Sequence, residues 1–154
     1  MRFTCTNCNL YKTCKSPIWS DGDNYNVMFV GEAPGKNEDE QGRPFVGYSG
    51  KILRSVLKEP YYITNIVKCR PPNNRTPTDA EVNACLPHLI HQIDSIKPKV
   101  VVLLGVSAQK LLRFYNPTVK IIKHSHPMAA VYSGSVEKWK EELQEKLNKI
   151  LLNP

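Results

Sequence analysis

Long apolar runs are missing from this chain. No stretch approaches the ~20 consecutive apolar residues that cross a bilayer, so no membrane-spanning helix is expected. The opening residues, Met1-Arg2-Phe3-Thr4-Cys5, lack the apolar core of a signal peptide, and an intracellular location is expected, the cytoplasm first. That location argues against a disulfide framework built from the five cysteines. Internal repeats and low-complexity linkers are also missing. Acidic residues are in short supply: 14 Asp and Glu stand against 21 Lys and Arg, a formal charge of +7. This balance favours a polyanionic partner, nucleic acid before others. The plainer alternative is that the excess charge serves solubility alone.

What is present is ordinary for a globular protein, with 41% hydrophobic and 23% charged residues in 154. That length suits a single domain spanning residues 1–154. Residues 1–24 carry cysteines, Trp19 and the turn formers Ser20-Asp21-Gly22-Asp23-Asn24, and read as a loop-rich segment. From Val27 strands and helices alternate. The run Val27-Met28-Phe29-Val30 predicts a buried strand, followed by a long loop and a helix over 49–57. Tyr61-Tyr62-Ile63-Thr64-Asn65 predicts a second strand. Thr78 and Glu81 form a capping-box pattern, and Val82, Leu86, Leu89, Ile93 and Ile96 recur at helical spacing up to Pro98. Val100-Val101-Val102-Leu103-Leu104 predicts a central parallel strand, with a helix from Gly105 to about Phe114. A fourth strand is expected over 119–122 and a last helix from about Ser135. Together these predict a three-layer α/β/α fold around a mainly parallel four-stranded sheet.

In such a sheet the loops at the strands' carboxyl ends collect ligands. The first of them is Gly31-Glu32-Ala33-Pro34-Gly35-Lys36-Asn37-Glu38-Asp39-Glu40-Gln41-Gly42-Arg43-Pro44-Phe45-Val46-Gly47. Its carboxylates and the ring of Phe45 suit a small shaped pocket, with an ordinary β–loop–α connection as the alternative. The loops after strands two and four add Asn65 and His124-Ser125-His126-Pro127. A carboxylate, a ring, an amide and an imidazole therefore gather at one edge.

Cys5-Thr6-Asn7-Cys8 is a pair spaced for chelation. Cys69 and Cys85 form a second pair, far downstream. Four thiolates suit either zinc or an iron–sulfur cluster, and spacing does not choose between them. For Cys85, beside an apolar face, a buried reduced thiol is the plainer alternative.

These motifs, in this order, resemble the family-four uracil-DNA glycosylases, the iron–sulfur type. The resemblance rests on the Cys5/Cys8 pair, Gly31-Glu32-Ala33-Pro34-Gly35, Glu38-Asp39, Gly42-Arg43-Pro44-Phe45-Val46-Gly47, Thr64-Asn65-Ile66-Val67-Lys68-Cys69-Arg70-Pro71-Pro72, Asn74-Arg75-Thr76-Pro77 and Cys85. It runs to about Leu112 and resumes at His126-Pro127. It implies that uracil is excised from DNA by hydrolysis of its N-glycosidic bond, without strand cleavage, in base excision repair. It implies a [4Fe–4S] cluster on Cys5, Cys8, Cys69 and Cys85. It implies that Phe45 stacks on the base, that Asn65 reads the uracil edge, and that Gly31 and Gly35 help to form the pocket. Glu32, Glu38 and His126 would serve the chemistry, and Arg70, Arg75, Lys36 and Lys51 would hold phosphates of uracil-containing DNA. The chain is expected to be a monomer, with replication or repair proteins as further partners. Two features depart from the family: the segment between Phe114 and His126 is short, and Met128 follows His126-Pro127. Cys14 is expected to be spare, His124 to carry no chemistry, and His88 and His91 to lie on a solvated helix face. The competing functions are a non-catalytic DNA-binding or uracil-sensing module of the same fold and, less supported by the basic charge, a zinc-stabilised nucleotide hydrolase.

Overall fold

A computed structural model describes residues 5–22, 26–57 and 61–152. Residues 1–4 and the turn formers Asp23 and Asn24 lie outside the described residues. Four five-residue strands form the sheet: β1 (Val27–Gly31), β2 (Tyr61–Asn65), β3 (Val100–Leu104) and β4 (Lys120–His124). All pairings are parallel, in the order β2-β1-β3-β4. Every residue of β1 and β3 is buried, as a strand covered on both faces requires. Chain order reverses between β1 and β3, so their carboxyl ends flank the switch point at which α/β sheets bind ligands.

Successive side chains of a strand point to opposite faces, and the core divides accordingly. Met28, Val30, Val101 and Leu103 pack with Val82, Leu86, Leu89 and Ile93 of α3 (Asp79–Ile96). On the other face Val27, Phe29, Val100, Val102 and Leu104 pack with Ile52, Leu53 and Val56 of α2 (Tyr48–Val56) and with Trp139, Leu143 and Leu147 of α6 (Val136–Leu152). The result is the expected three-layer arrangement.

The capping box at Thr78 forms as expected. The Thr78 hydroxyl accepts from the Glu81 N–H at 3.2 Å, and the Glu81 carboxylate accepts from the Thr78 N–H at 2.8 Å. The helix ends at Lys97, which adopts a left-handed conformation (φ 54°) ahead of Pro98.

The N-terminal segment lies along the edge of β2. Asp21 and Ile63 exchange backbone hydrogen bonds at 2.9 and 2.8 Å, and the Ile18 N–H donates to the Lys68 carbonyl at 2.7 Å. An edge that would otherwise be open is thereby paired. The segment is not wholly irregular, since Asn9–Lys12 form a 3₁₀ turn that buries Leu10.

Three further elements differ from the sequence reading. The pocket loop contains a helix, α1 (Lys36–Gln41). The helix after β3 is short, α4 (Val106–Gln109), and continues as a 3₁₀ turn over Lys110–Arg113. The stretch after His126 is also helical, α5 (Pro127–Ser133), with Pro127 in its first turn, where proline's missing N–H costs nothing.

Thr78→Ala should lower stability by about 1 kcal/mol through loss of the cap, seen as a lower urea midpoint with an unchanged m value. The Arg75 guanidinium beside Glu81 holds its carboxyl down at about 2, against an ordinary 4.5. Stability from this pair is therefore present above pH 4.5 and is lost as pH falls toward the folded value. In Glu81→Gln the acid limb of a stability–pH curve should be shallower.

Candidate functional site

β1 ends at Gly31, opposite Asn65 at the end of β2. A Cβ at Gly31 would lie 2.5 Å from Asn65 Oδ1 and 2.6 Å from Phe45 Cε2. Only glycine leaves room there for both side chains. Asn65 and Phe45 are each buried, at 2% and 5% exposure.

Phe45 is held in a left-handed conformation, φ 53°, which is rare for a bulky residue and needs outside support. Glu38 supplies part of it. Its Oε2 accepts from the N–H groups of Val46 at 3.0 Å and Gly47 at 2.8 Å, and its Oε1 accepts from Gly35 N–H at 3.0 Å. Arg54 holds the other side of the turn. Its guanidinium donates to the carbonyls of Phe45 at 3.1 Å and Pro44 at 2.9 Å, and to Asp21 at 2.8 Å. Arg43 binds the same Asp21 oxygen at 2.9 Å. Burial alone would raise the Asp21 pKa, but the two guanidiniums outweigh it and hold the carboxyl below its ordinary range.

Across the switch point, Glu32 accepts a 2.6 Å hydrogen bond from Ser107 Oγ, near the start of α4. The chain enters α4 through Gly105, whose φ of +92° favours glycine, and whose N–H donates to the His124 carbonyl at 2.8 Å. A Cβ at Gly105 would stand 3.2 Å from His126 Cβ, so His126 packs directly on this turn. Its ring faces that of Phe45, with centroids 6.2 Å apart and planes 28° from parallel.

His126 caps α5. Its Nδ1 accepts from the Met128 N–H at 3.1 Å, which leaves the proton of a neutral imidazole on Nε2. Burial pushes its pKa below the ordinary 6.5, against the opposing charge of Glu32. The arrangement thus offers a neutral N–H donor with a carboxylate nearby.

Behind the site α6 fixes the end of β4. Trp139 Nε1–H donates to the Ser125 carbonyl at 2.9 Å, while His124 Nε2 and Lys146 Nζ bridge to the Trp139 and Lys123 carbonyls at 3.1 and 2.9 Å. His124 is thus a buried strut between β4 and α6.

The sequence-predicted residues therefore divide. Gly31, Glu32, Phe45, Asn65 and His126 come together. Gly35 and Glu38 stand in the turn that supports them, where the two Glu38 oxygens accept from three backbone N–H groups and help to hold Phe45. Ser107 and Arg54 were not anticipated. Ser107 follows a strand and a glycine, a place where ligand loops begin, but its partner lies 75 residues away. Arg54 sits on a helix face and gave no signal.

Of the four expected phosphate cations, Lys36 and Lys51 are exposed. Arg70 donates to Asn74 at 2.7 Å, and Asn74 Oδ1 lies 3.9 Å from the place of a Gly35 Cβ, at the margin of the pocket turn. Arg75 donates from both arms of its fork to Glu81, at 2.7 and 2.9 Å, and so braces the α3 cap.

Cys5, Cys8, Cys69 and Cys85 line one cavity together with Trp19, Lys68 and His88. Among the described residues no three His, Cys, Asp or Glu side chains close around a point as a single ion's shell does. The donor set is nevertheless four thiols from two distant segments, which fits a four-cysteine centre. The Lys68 N–H donates to Cys85 Sγ at 3.3 Å, a contact typical of a metal centre's outer shell. Burial pushes the Cys69 and Cys85 thiols up, with the Lys68 charge opposing it at Cys85. His88 departs from the solvated-face expectation: its Nε2 is 3.3 Å from Cys5 Sγ, and its ring stands edge-on to Trp19 at 4.9 Å. Cys14 is half-buried and interacts with Cys69.

A parallel sheet whose carboxyl edge gathers these groups is the setting in which the family comparison falls. The model of the uracil DNA glycosylase superfamily matches residues 19–150. The type-4 uracil-DNA glycosylase of Sulfurisphaera tokodaii is 36% identical over 180 residues, covering 98% of this chain and 82% of that protein. That of Saccharolobus solfataricus is 35% identical, covering 96% and 82%. That of Pyrobaculum aerophilum is 49% identical over 115 residues, covering 70% and 59%. The chain belongs to the uracil-DNA glycosylase superfamily and, within it, to the type-4 uracil-DNA glycosylases.

Two outcomes follow from the geometry. Glu38→Gln replaces one acceptor oxygen with an amide that faces N–H groups, so uracil excision should fall by at least about tenfold while DNA affinity, dominated by phosphates, holds. An imidazole NMR titration should place the His126 midpoint below 6.5; its contribution to stability is then present above pH 6.5 and lost as pH falls through the lowered value.

Proposed function

We propose that the chain is a monofunctional uracil-DNA glycosylase that hydrolyses the N-glycosidic bond of uracil in DNA. The observation that carries this reading is the meeting of Phe45 and Asn65 over Gly31, with the His126 ring 6.2 Å from that of Phe45. A base in a duplex is extruded before it is excised, then read by its polar edge and a ring face. Phe45 supplies the ring. The Asn65 amide donates to uracil O4 and accepts from N3–H. As the bond between the sugar C1′ and the base N1 breaks, the bonding pair leaves with the base and the sugar becomes cationic. His126 Nε2–H donates to O2, where the negative charge gathers, the logic of an oxyanion hole. Glu32, oriented by Ser107, stabilises the cationic sugar and directs a water to C1′. The proton that this water releases passes to Glu32 and then to solvent.

The thiol cavity is read as the seat of a [4Fe–4S] cluster on Cys5, Cys8, Cys69 and Cys85. When bound it cross-links the N-terminal segment to α3 and to the loop that follows β2. Its role is then structural, and no step of excision passes through it. Lys36, Lys51 and Arg70 are read as phosphate ligands of the DNA.

His126→Ala and Glu32→Gln should each slow single-turnover excision from a uracil oligonucleotide at least tenfold, ~1.4 kcal/mol of barrier, with DNA binding little changed. Wild-type protein that binds this DNA yet releases no uracil would overturn the glycosylase reading in favour of a binding module. Anaerobically purified protein should contain about four irons with matching sulfide, retained in Cys14→Ser. Stoichiometric zinc without sulfide would replace the cluster with a four-thiolate zinc site.

A further inference from the structure

Lys68 is 1% exposed. A lysine is almost never enclosed in this way unless its charge is matched. Its ammonium donates to Gln92 Oε1 at 2.6 Å, Thr64 Oγ1 at 2.7 Å and the Asn65 carbonyl at 2.5 Å. The Thr64 hydroxyl gives its own proton to the Trp19 carbonyl at 2.6 Å, so all three partners act as acceptors. Three N–H groups meet three acceptors, and the ammonium is fully satisfied. The same residue's backbone N–H reaches Cys85 at 3.3 Å. Lys68 therefore touches the thiol cavity with its main chain and the base-reading strand end with its side chain.

We propose that Lys68 is a positioning residue for uracil recognition, fixing the Asn65 backbone from beneath the pocket and tying it to the cysteine centre through Cys85. This rests on the glycosylase reading given above. Asn65 can match uracil's edge only if its amide plane is held. The side chain turns about a backbone that is anchored on one face by pairing with β1 and on its carbonyl by Lys68. Gln92, which also donates to the Trp19 carbonyl and the Tyr62 hydroxyl at 2.9 and 3.1 Å, ties that anchor to α3. The centre and the pocket thus share one hydrogen-bonded strut, without Lys68 touching the base.

The test compares wild type, Lys68→Met and Gln92→Met. Methionine keeps the bulk of each side chain and removes its polar head. Three quantities are read: the single-turnover rate with its half-saturating DNA concentration, the affinity for free uracil by calorimetry, and iron and sulfide per chain. Lys68→Met should lower the maximal rate at least about tenfold and weaken free uracil about tenfold. Half-saturation should stay within about twofold, and iron and sulfide should be retained. Wild-type rate and uracil affinity in a folded Lys68→Met protein overturn the inference. So does loss of iron and sulfide together with uracil affinity, since the lysine then serves the centre rather than Asn65. Should Lys68→Met fail to fold, Gln92→Met decides: weakened uracil binding with iron retained supports the strut, and unchanged uracil binding overturns it. Wild type that releases no uracil is a different result, which removes the glycosylase reading and this inference with it.

Discussion

The missing side chain at Gly31 is the constraint on which the site depends. β1 is buried along its length, and its last residue is the one place where two layers of recognition meet over the backbone. The ring of Phe45 arrives from the loop before α2, and the amide of Asn65 from the end of β2. Neither could approach if the strand ended in any residue with a Cβ. The switch point then supplies the rest, because β3 and β4 lie on the other side of β1 and bring Ser107 to Glu32 and His126 to the ring of Phe45. The sheet sets the spacing, and the glycine removes what would block it.

Much of the remaining structure holds floppy groups still. Arg54 donates to the backbone of the Phe45 turn and to Asp21, so a surface-bound N-terminal segment, a helix and the aromatic turn share one cation. Trp139 binds the carbonyl of Ser125, immediately before His126, and His124 binds the carbonyl of Trp139 in return. These contacts bear on the short segment that precedes β4. The short connection before β4 leaves the direction of the histidine to be fixed by α6. Burial keeps that imidazole neutral, which suits donation to an oxygen gaining negative charge without the cost of enclosing an imidazolium.

The architecture was largely legible from residue patterns. β2 matches its predicted span because a β-branched and aromatic run is bounded sharply by Pro60 and the loop beyond. The start of α3 is visible because the capping box is a local device, readable within four residues. The helices that escaped, α1 and α5, are short and carry little apolar periodicity: Lys36–Gln41 is entirely polar, and its shape is imposed by where Glu38 must reach. The individual groups of the site were visible by type and by strand end, but their division of labour was not. Ser107 gains meaning only from Glu32, 75 residues away. Arg75 and Glu38 stand out in the sequence by their charge, and the fold adds that Arg75 pairs with Glu81 and that Glu38 grips three main-chain N–H groups. Sequence reveals which residues have the right chemistry; only the folded chain reveals which of them are already engaged.

Glu38 has a consequence for how such a pocket tolerates change. Its three donors are all main-chain N–H groups, belonging to Gly35, Val46 and Gly47. The carboxylate therefore grips the course of the chain and ignores what the chain carries. Gly47 has an ordinary negative φ, and a Cβ there would stand 3.4 Å from the nearest Glu38 oxygen, so the grip does not hinge on a bare glycine at that point. The residues at 46 and 47 can therefore change without loss of these hydrogen bonds, while the aromatic turn keeps its shape. A turn secured in this manner is held through its main chain from both sides, by one acidic residue in the first turn of α1 and by Arg54 opposite.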